Sequence, residues 1–268
     1  MKYCLVDSGN QKKLERFGSV SIVRPSGAAL WEPAHSDWKE ADAVFTRDDD
    51  KGWKGKLPKS WMVEHEGVKF KLSPTEFGHL GIFPEHSILW NWASDKVRAN
   101  GGGSVLNLFA YSGGATIALA KAGASVCHLD ASQGMVSWAR ENAKLNGVED
   151  RPIRWIVDDA LKFLQREIRR GRKYDGIVLD PPSFGRGAKG EVFKIERDIR
   201  QLLRLGKQLL SDSPLFFICS THTSGMTPIV MKHLLEEVVP SKAESGEMVL
   251  TSETGKDLPS GAFARWGP

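Results

Sequence analysis

The apolar positions of this chain change rhythm once. Up to about residue 75 they come as short alternating runs. Leu14–Val23 and Trp61–Leu72 alternate apolar with polar positions and are rich in β-branched and aromatic residues, which predicts half-buried strands. Arg24-Pro25-Ser26-Gly27, Asp48–Gly52 and Lys56–Lys59 punctuate them as turns. Tryptophans at 31, 38, 53 and 61 predict a small core of large rings. The reading is a small antiparallel β domain over residues 1–75. Phe77–His86 then leads into a helix, Ser87–Asn100, closed by Gly101-Gly102-Gly103.

From Ser104 the pattern becomes strand, turn, helix, repeated. Strands are predicted at Val105–Phe109, Ser125–Leu129, Ile153–Val157, Tyr174–Leu179 and Leu215–Cys219. Helices are predicted at Ala115–Ala122, Met135–Asn146, Leu161–Arg170, Phe193–Leu210 and Pro228–Val239. Continuous apolar strands alternating with helices require a parallel sheet covered on both faces. Two tail strands, Glu247–Thr251 and Ala262–Trp266, complete a mostly parallel seven-stranded α/β sheet in a domain over 76–268, with a hairpin that adds an antiparallel edge strand.

In such a sheet ligands bind outside the carboxyl ends of the strands, and the chemistry-bearing residues of this chain follow the strands. After the first comes Ala110-Tyr111-Ser112-Gly113-Gly114, where glycine lets the backbone approach a ligand and the next helix offers free N–H groups. After the second comes Asp130, 17 residues past Gly113, placed to accept both ribose hydroxyls of an adenosine. Asp158-Asp159-Ala160 follows the third strand and supplies a carboxylate for an adenine amino group. Asp180-Pro181-Pro182 follows the fourth. A dehydrogenase would share the first two features, but the fuller Gly-x-Gly-x-x-Gly is absent and nothing in that fold asks for Asp-Pro-Pro.

VLNLFAYSGGATIALA (105–120), SVCHLDAS (125–132), ENAKLNG (141–147), IVDDALKFL (156–164) and DPPSFGRG (180–187) together resemble the class I S-adenosylmethionine (SAM)-dependent methyltransferases. More narrowly they resemble the bacterial large-subunit ribosomal RNA methyltransferases that modify cytosine C5 or guanine N7. The resemblance runs from about residue 75 to the C-terminus, and FGHLGIFPEH (77–86) is similar to the segment that leads into the family's catalytic domain. It implies a Rossmann-like fold, SAM as cofactor with S-adenosylhomocysteine as product, no metal, and RNA, ribosomal above all, as substrate. It implies that Phe109, Ser112 and Gly113 line the methionine part of SAM. Asp130 would hold the ribose with Ser132 nearby, and Asp159 with Ala160 would meet the adenine. Asp180 would face the methionine amine or the target base. Phe83 and Glu85 would close over the cofactor.

Methyl transfer from a sulfonium is an in-line displacement, so the protein must hold a nucleophile at near-attack distance. Asp180 can accept from a base amino group. Pro181 and Pro182 fix two successive φ angles. Phe184 offers a face for stacking a splayed base. Gly185–Gly190 reads as a mobile basic loop. Attack by cytosine C5 requires a cysteine thiolate, and the cytosine-modifying relatives place Cys-Ser-Gly after the fifth strand. Here the segment reads Cys219-Ser220-Thr221-His222-Thr223-Ser224-Gly225, so Thr223 stands where that cysteine belongs and Cys219 reads as a buried strand residue. Nitrogen becomes at least as good an acceptor. A protein or small-molecule nitrogen as substrate, and a non-catalytic RNA-binding protein of the same fold, are the alternatives.

Charge sharpens the substrate. Net charge is +4, yet Lys162–Lys207 alone carries thirteen basic against six acidic residues, which favours a polyanion. Lys51, Lys54, Lys56 and Lys59 give the β domain a second candidate RNA contact. The three scattered cysteines, Cys4, Cys127 and Cys219, offer neither a disulfide framework nor metal-ligand spacing. With no apolar run of membrane-spanning length, the expected location is the cytoplasm, away from membranes. Oligomeric state leaves no trace in the sequence.

Overall fold

The structure is a computed structural model describing residues 1–35, 38–47, 52–187 and 190–268. The start of the Asp48–Gly52 turn, Lys51, and Ala188 and Lys189 of the basic loop lie outside the described residues. The chain forms two compact units, Met1–Glu85 with Val249–Ser260, and His86–Met248 with Gly261–Pro268. The division expected at residues 75 and 76 follows the change of rhythm along the chain; compactness in space adds 76–85 and 249–260 to the first unit.

In the first unit β1 (Tyr3–Gly9), β2 (Lys12–Phe17), β3 (Val20–Pro25), β4 (Ala43–Thr46) and β5 (Gly52–Gly55) form one sheet in sequence order. All neighbours are antiparallel except β3 and β4, which pair parallel through Ile22 and Val23. β6 (Trp61–His65) and β7 (Val68–Leu72) make a separate hairpin. Its core is Leu5, Phe17, Ile22, Val63, Phe70 and Leu72, all essentially buried. The four tryptophans are instead half-buried, each indole N–H donating to an acceptor at the core's edge: Trp31 to Ser8 O, Trp38 to Asp7 Oδ2, Trp53 to Thr75 O and Trp61 to Phe17 O. An indole needs such a partner, which keeps it at the rim.

One polar knot interrupts this core. Glu15 on β2 is fully buried and receives Arg24 of β3 in a two-pronged pair, Nε to Oε2 at 2.7 Å and Nη2 to Oε1 at 2.8 Å. Tyr3 Oη donates to the same carboxylate at 3.2 Å, and Arg24 Nη1 reaches Gly78 O at 3.1 Å. Burial raises the carboxyl's pKa, but the Arg24 charge and its hydrogen bonds outweigh that and hold it below the ordinary range.

The second unit contains α1 (Ser87–Ala99), β8 (Gly103–Leu108), α2 (Gly114–Lys121), β9 (Ala124–Asp130), α3 (Gln133–Leu145), β10 (Ile153–Val157), α4 (Ala160–Arg169) and β11 (Gly176–Leu179). A small hairpin, β12 (Phe184–Arg186) with β13 (Val192–Lys194), is followed by α5 (Ile195–Leu209), β14 (Phe216–Thr221) and α6 (Pro228–Glu236). β15 (Glu244–Thr251) and β16 (Asp257–Trp266) then run into the stretch that joins the first unit. The sheet order is β10-β9-β8-β11-β14-β16-β15, with β8 to β11 and β14 parallel and β16 antiparallel to β14. α1, α2 and α3 pack along one face and α4, α5 and α6 along the other. The helical faces follow the apolar spacing: α4 buries Ala160, Phe163, Leu164 and Glu167. α5 lies so close to the sheet that a Cβ on Gly206 would sit 2.8 Å from Phe217, so only glycine fits there.

The basic loop expected at Gly185–Gly190 is strand at its start, because Phe184 and Arg186 pair with Lys194 and Val192 and Gly187 N donates to Glu191 O at 2.9 Å. The helix expected from Phe193 begins at Ile195, its first two residues being taken by that pairing. Among the described residues no helix is long and apolar enough to cross a membrane. Glu15→Ala is expected to lower the free energy of unfolding in urea by about 3–5 kcal/mol, since it strands a buried guanidinium. Adding Arg24→Ala should cost less than a second full penalty, and simple additivity would show that the pair is not coupled.

Candidate functional site

The sheet order reverses between β8 and β11, which opens a crevice at their carboxyl ends. The chain leaves β8 through a turn with three left-handed residues, Phe109 at φ 55°, Tyr111 at φ 50° and Gly113 at φ 90°. Two of these are not glycine, a conformation costing about 1–3 kcal/mol each unless the surroundings impose it. They do. Tyr111 N donates to Asp130 Oδ2 at 2.9 Å, and Asn142 Nδ2 of α3 holds Ser112 O at 2.9 Å. A Cβ on Gly113 would lie 3.0 Å from that of Ala139, so α3 also limits the turn's bulk. Gly113 caps α2, leaving the first N–H groups of that helix at the crevice.

Asp130 ends β9. Its other oxygen, Oδ1, accepts from Ser132 N at 2.9 Å. Burial pushes this carboxyl up, against the pull of its two backbone donors. A carboxylate has about four acceptor positions, so two remain for a ligand. Ser132 caps α3, its hydroxyl accepting from Met135 N at 3.3 Å. Asp159 caps α4 by accepting from Lys162 N at 2.9 Å, with Ala160 buried directly after it. Its neighbour Asp158 is ion-paired to Arg166. Of the two acids, Asp158 is thus the one engaged by a cation.

Asp180 directly follows β11, and Pro181 behind it is buried. Ser220 of β14 donates to Asp180 Oδ1 at 2.8 Å, and His86 Nε2 lies 3.5 Å from Oδ2. The His86 ring is 5.2 Å, centroid to centroid, from that of His222. A chain of hydroxyls joins the two loops: Thr221 Oγ1 donates to Thr223 Oγ1 at 3.0 Å, and Thr223 lies 2.8 Å from Ser183 Oγ. Thr223, at the position a nucleophilic cysteine would take, is therefore a brace between strand ends. Cys219 is buried in the sheet core at 1% exposure, and burial together with the Asp180 charge raises its thiol well above the ordinary range. Phe184 is half exposed, with the Arg186 guanidinium 5.7 Å from its ring centre. Phe109 packs against Phe193 of β13, with ring centres 5.4 Å apart.

One unit thus gathers Phe109, Ser112, Gly113, Asp130, Ser132, Asp159, Ala160, Asp180, Pro181, Pro182 and Phe184 at the carboxyl ends of β8, β9, β10 and β11. Phe83 and Glu85 fall in the other unit, where Glu85 is buried and Phe83 meets His79 edge-on at 5.2 Å. Ser220, His86 and Asn142 carry no local signature of these roles, and only the strand register shows Ser220 facing Asp180.

The basic stretch is partly neutralised. Lys162, Arg166, Arg170, Arg197 and Arg200 pair with Glu191, Asp158, Glu167, Asp198 and Glu237. Arg197, Arg200, Arg204 and Lys207 nonetheless form one exposed stripe along α5, at helical spacing, with Lys194 at its start.

Several known proteins resemble this chain. A crystal structure of a SAM-dependent methyltransferase from Agrobacterium tumefaciens matches all of this chain and 91% of its own, with TM-score 0.94 and 39% identity. Ribosomal RNA large subunit methyltransferase K of Neisseria meningitidis serogroup B is 29% identical over 260 residues, 90% of this chain and 70% of that protein. Ribosomal RNA large subunit methyltransferase K/L of Shewanella frigidimarina is 35% identical over 144 residues, 53% of this chain, which spans only 20% of that relative's length. The family of S-adenosylmethionine-dependent methyltransferases matches residues 28–262. That match takes in every strand of the parallel sheet and the turn, acids and Asp-Pro-Pro at its carboxyl edge, and the chain accordingly belongs to the S-adenosylmethionine-dependent methyltransferases, as an enzyme with the class I fold and SAM as its cofactor.

Proposed function

We propose that this methyltransferase modifies a base in RNA, with ribosomal RNA of the large subunit as the first candidate, and that the base docks at Asp180–Phe184. The observation that carries the reading is the exposed Phe184, four positions past Asp180 in the segment that leaves β11, with the cationic stripe of α5 starting from the same hairpin. The names of the Neisseria and Shewanella relatives support the substrate class.

SAM supplies an electrophilic methyl group on a sulfonium. The residues around it hold rather than react. The turn at Phe109–Gly113 receives the methionine part, Asp130 the ribose hydroxyls through its remaining lone pairs, and Asp159-Ala160 the adenine. Asp180, fixed by Ser220, accepts from a donor on the base or on the methionine amine. Pro181 and Pro182 stiffen the loop, and Phe184 stacks the splayed base. Holding the acceptor in line at roughly 3–3.5 Å from the methyl supplies the rate. A protein or small-molecule nitrogen suits the same Asp-Pro-Pro, but gives no use to the stripe on α5.

Asp130→Ala should weaken SAM binding by about 10–100-fold in calorimetry, the worth of hydrogen bonds to a charged group. Asp180→Ala should keep its melting temperature and lose methyl transfer to RNA, and full activity in that variant would remove Asp180 from the site. Arg204→Ala and Lys207→Ala should each weaken RNA binding at low salt and reduce the slope of log affinity against log salt by about 1. An unchanged slope in both would take α5 out of the RNA path. Cys219→Ala should retain kcat, because the buried thiol reaches no substrate; loss of turnover with SAM binding intact would return a covalent cytosine route.

A further inference from the structure

His86, Asp180 and His222 come from three separate places: the turn before α1, the end of β11 and the loop after β14. Their ligand atoms all lie within 4.8 Å of one another. The gap from His86 Nε2 to Asp180 Oδ2 is 3.5 Å, too long for a charge-assisted hydrogen bond, which closes to roughly 2.7–2.9 Å. It is close to the edge of a tetrahedron about a zinc-class ion, about 3.3–3.4 Å for bonds of roughly 2.0–2.1 Å. Two imidazoles and one carboxylate are the donor set such an ion takes when its fourth position stays open.

The supports of these donors match a site of that kind. Ser220 donates to Asp180 Oδ1 at 2.8 Å, which fixes the carboxylate and turns Oδ2 toward the histidines. Thr221 and Thr223, on either side of His222, are tied together through Thr221 Oγ1. A Cβ on Gly261 of β16 would sit 3.3 Å from the His222 ring and 2.9 Å from Thr221 O, so glycine leaves the imidazole its space. His222 is exposed, so solvent reaches the cluster.

We propose that His86, Asp180 and His222 bind a divalent transition ion of the zinc class, as an accessory site and not as a cofactor of methyl transfer. The ion takes the Asp180 oxygen that Ser220 leaves open. In the part that rests on the proposed role of Asp180, ion and substrate therefore exclude each other, and the ion is a brake on the enzyme.

Calorimetric titration of the full chain with zinc chloride, without SAM or RNA, should show one saturable site. His86→Ala and His222→Ala should each weaken it about 100-fold or more, and Ser220→Ala about 10-fold. His233→Ala, on the exposed side of α6, should leave it unchanged. His222 is exposed, so its truncation tests the site even if His86→Ala disturbs the fold, which melting curves will show. No saturable zinc binding by a chain that still binds SAM, or undiminished binding in folded His222→Ala, overturns the ion site and leaves the methyl-transfer reading standing. Zinc binding that depends on both histidines in a chain without RNA methylation does the reverse.

Discussion

The carboxylate of Asp130 is the point from which the cofactor end of this protein is organised. A chain leaving β8 has no intrinsic reason to place Phe109 and Tyr111 in the left-handed region. It does so because Asp130, one strand over, draws the Tyr111 N–H inward while Asn142 pins Ser112 from α3. The same carboxylate takes the Ser132 N–H and so sets where α3 begins. One half-buried acid thereby couples the ends of two neighbouring strands and the starts of the helices that follow them. Its raised affinity for a proton reflects the cost of keeping it there.

Asp180 is organised on the same plan on the other side of the reversal. Ser220 holds one oxygen, and hydroxyls from Thr221, Thr223 and Ser183 brace the loops around it. Each acid takes one donor that lies next to it in the sheet but far away in the chain, Tyr111 for Asp130 and Ser220 for Asp180. The parallel register β9-β8-β11-β14 is what converts sequence distance into contact.

This explains what could be read from sequence and what could not. The parallel sheet was legible because most of its strands are apolar runs and three of its six helices begin on a capping residue. Ser132, Asp159 and Thr227 cap helices where their residue types say they should. Asp130 and Asp180 were legible as the acids that directly follow strands. Ser220 was not, because its partner is 40 positions away and a serine inside an apolar strand has no local signature. The β12–β13 hairpin reads as loop because glycines and basic residues fill its turn, while its pairing rests on only three residues a side. The tryptophans misled in the opposite direction: ring size predicts burial, but the indole N–H pulled each of them to the edge.

The segment Val249–Ser260 belongs to the first unit although it lies more than 160 positions after the rest of it. Leu250 and Leu258 complete a small cluster with Leu5 and Ala29, and Glu253 pairs with Arg16. The smaller unit is therefore discontinuous in the gene. A recombination event that cuts once, near residue 85, carries away most of its strands and leaves part of its core behind. For the two units to be inherited or exchanged separately, two breakpoints would have to fall together within the last two strands. β1 and the late stretch Val249–Ser260 share one core, so a small unit moved without that late stretch would arrive with part of its core missing.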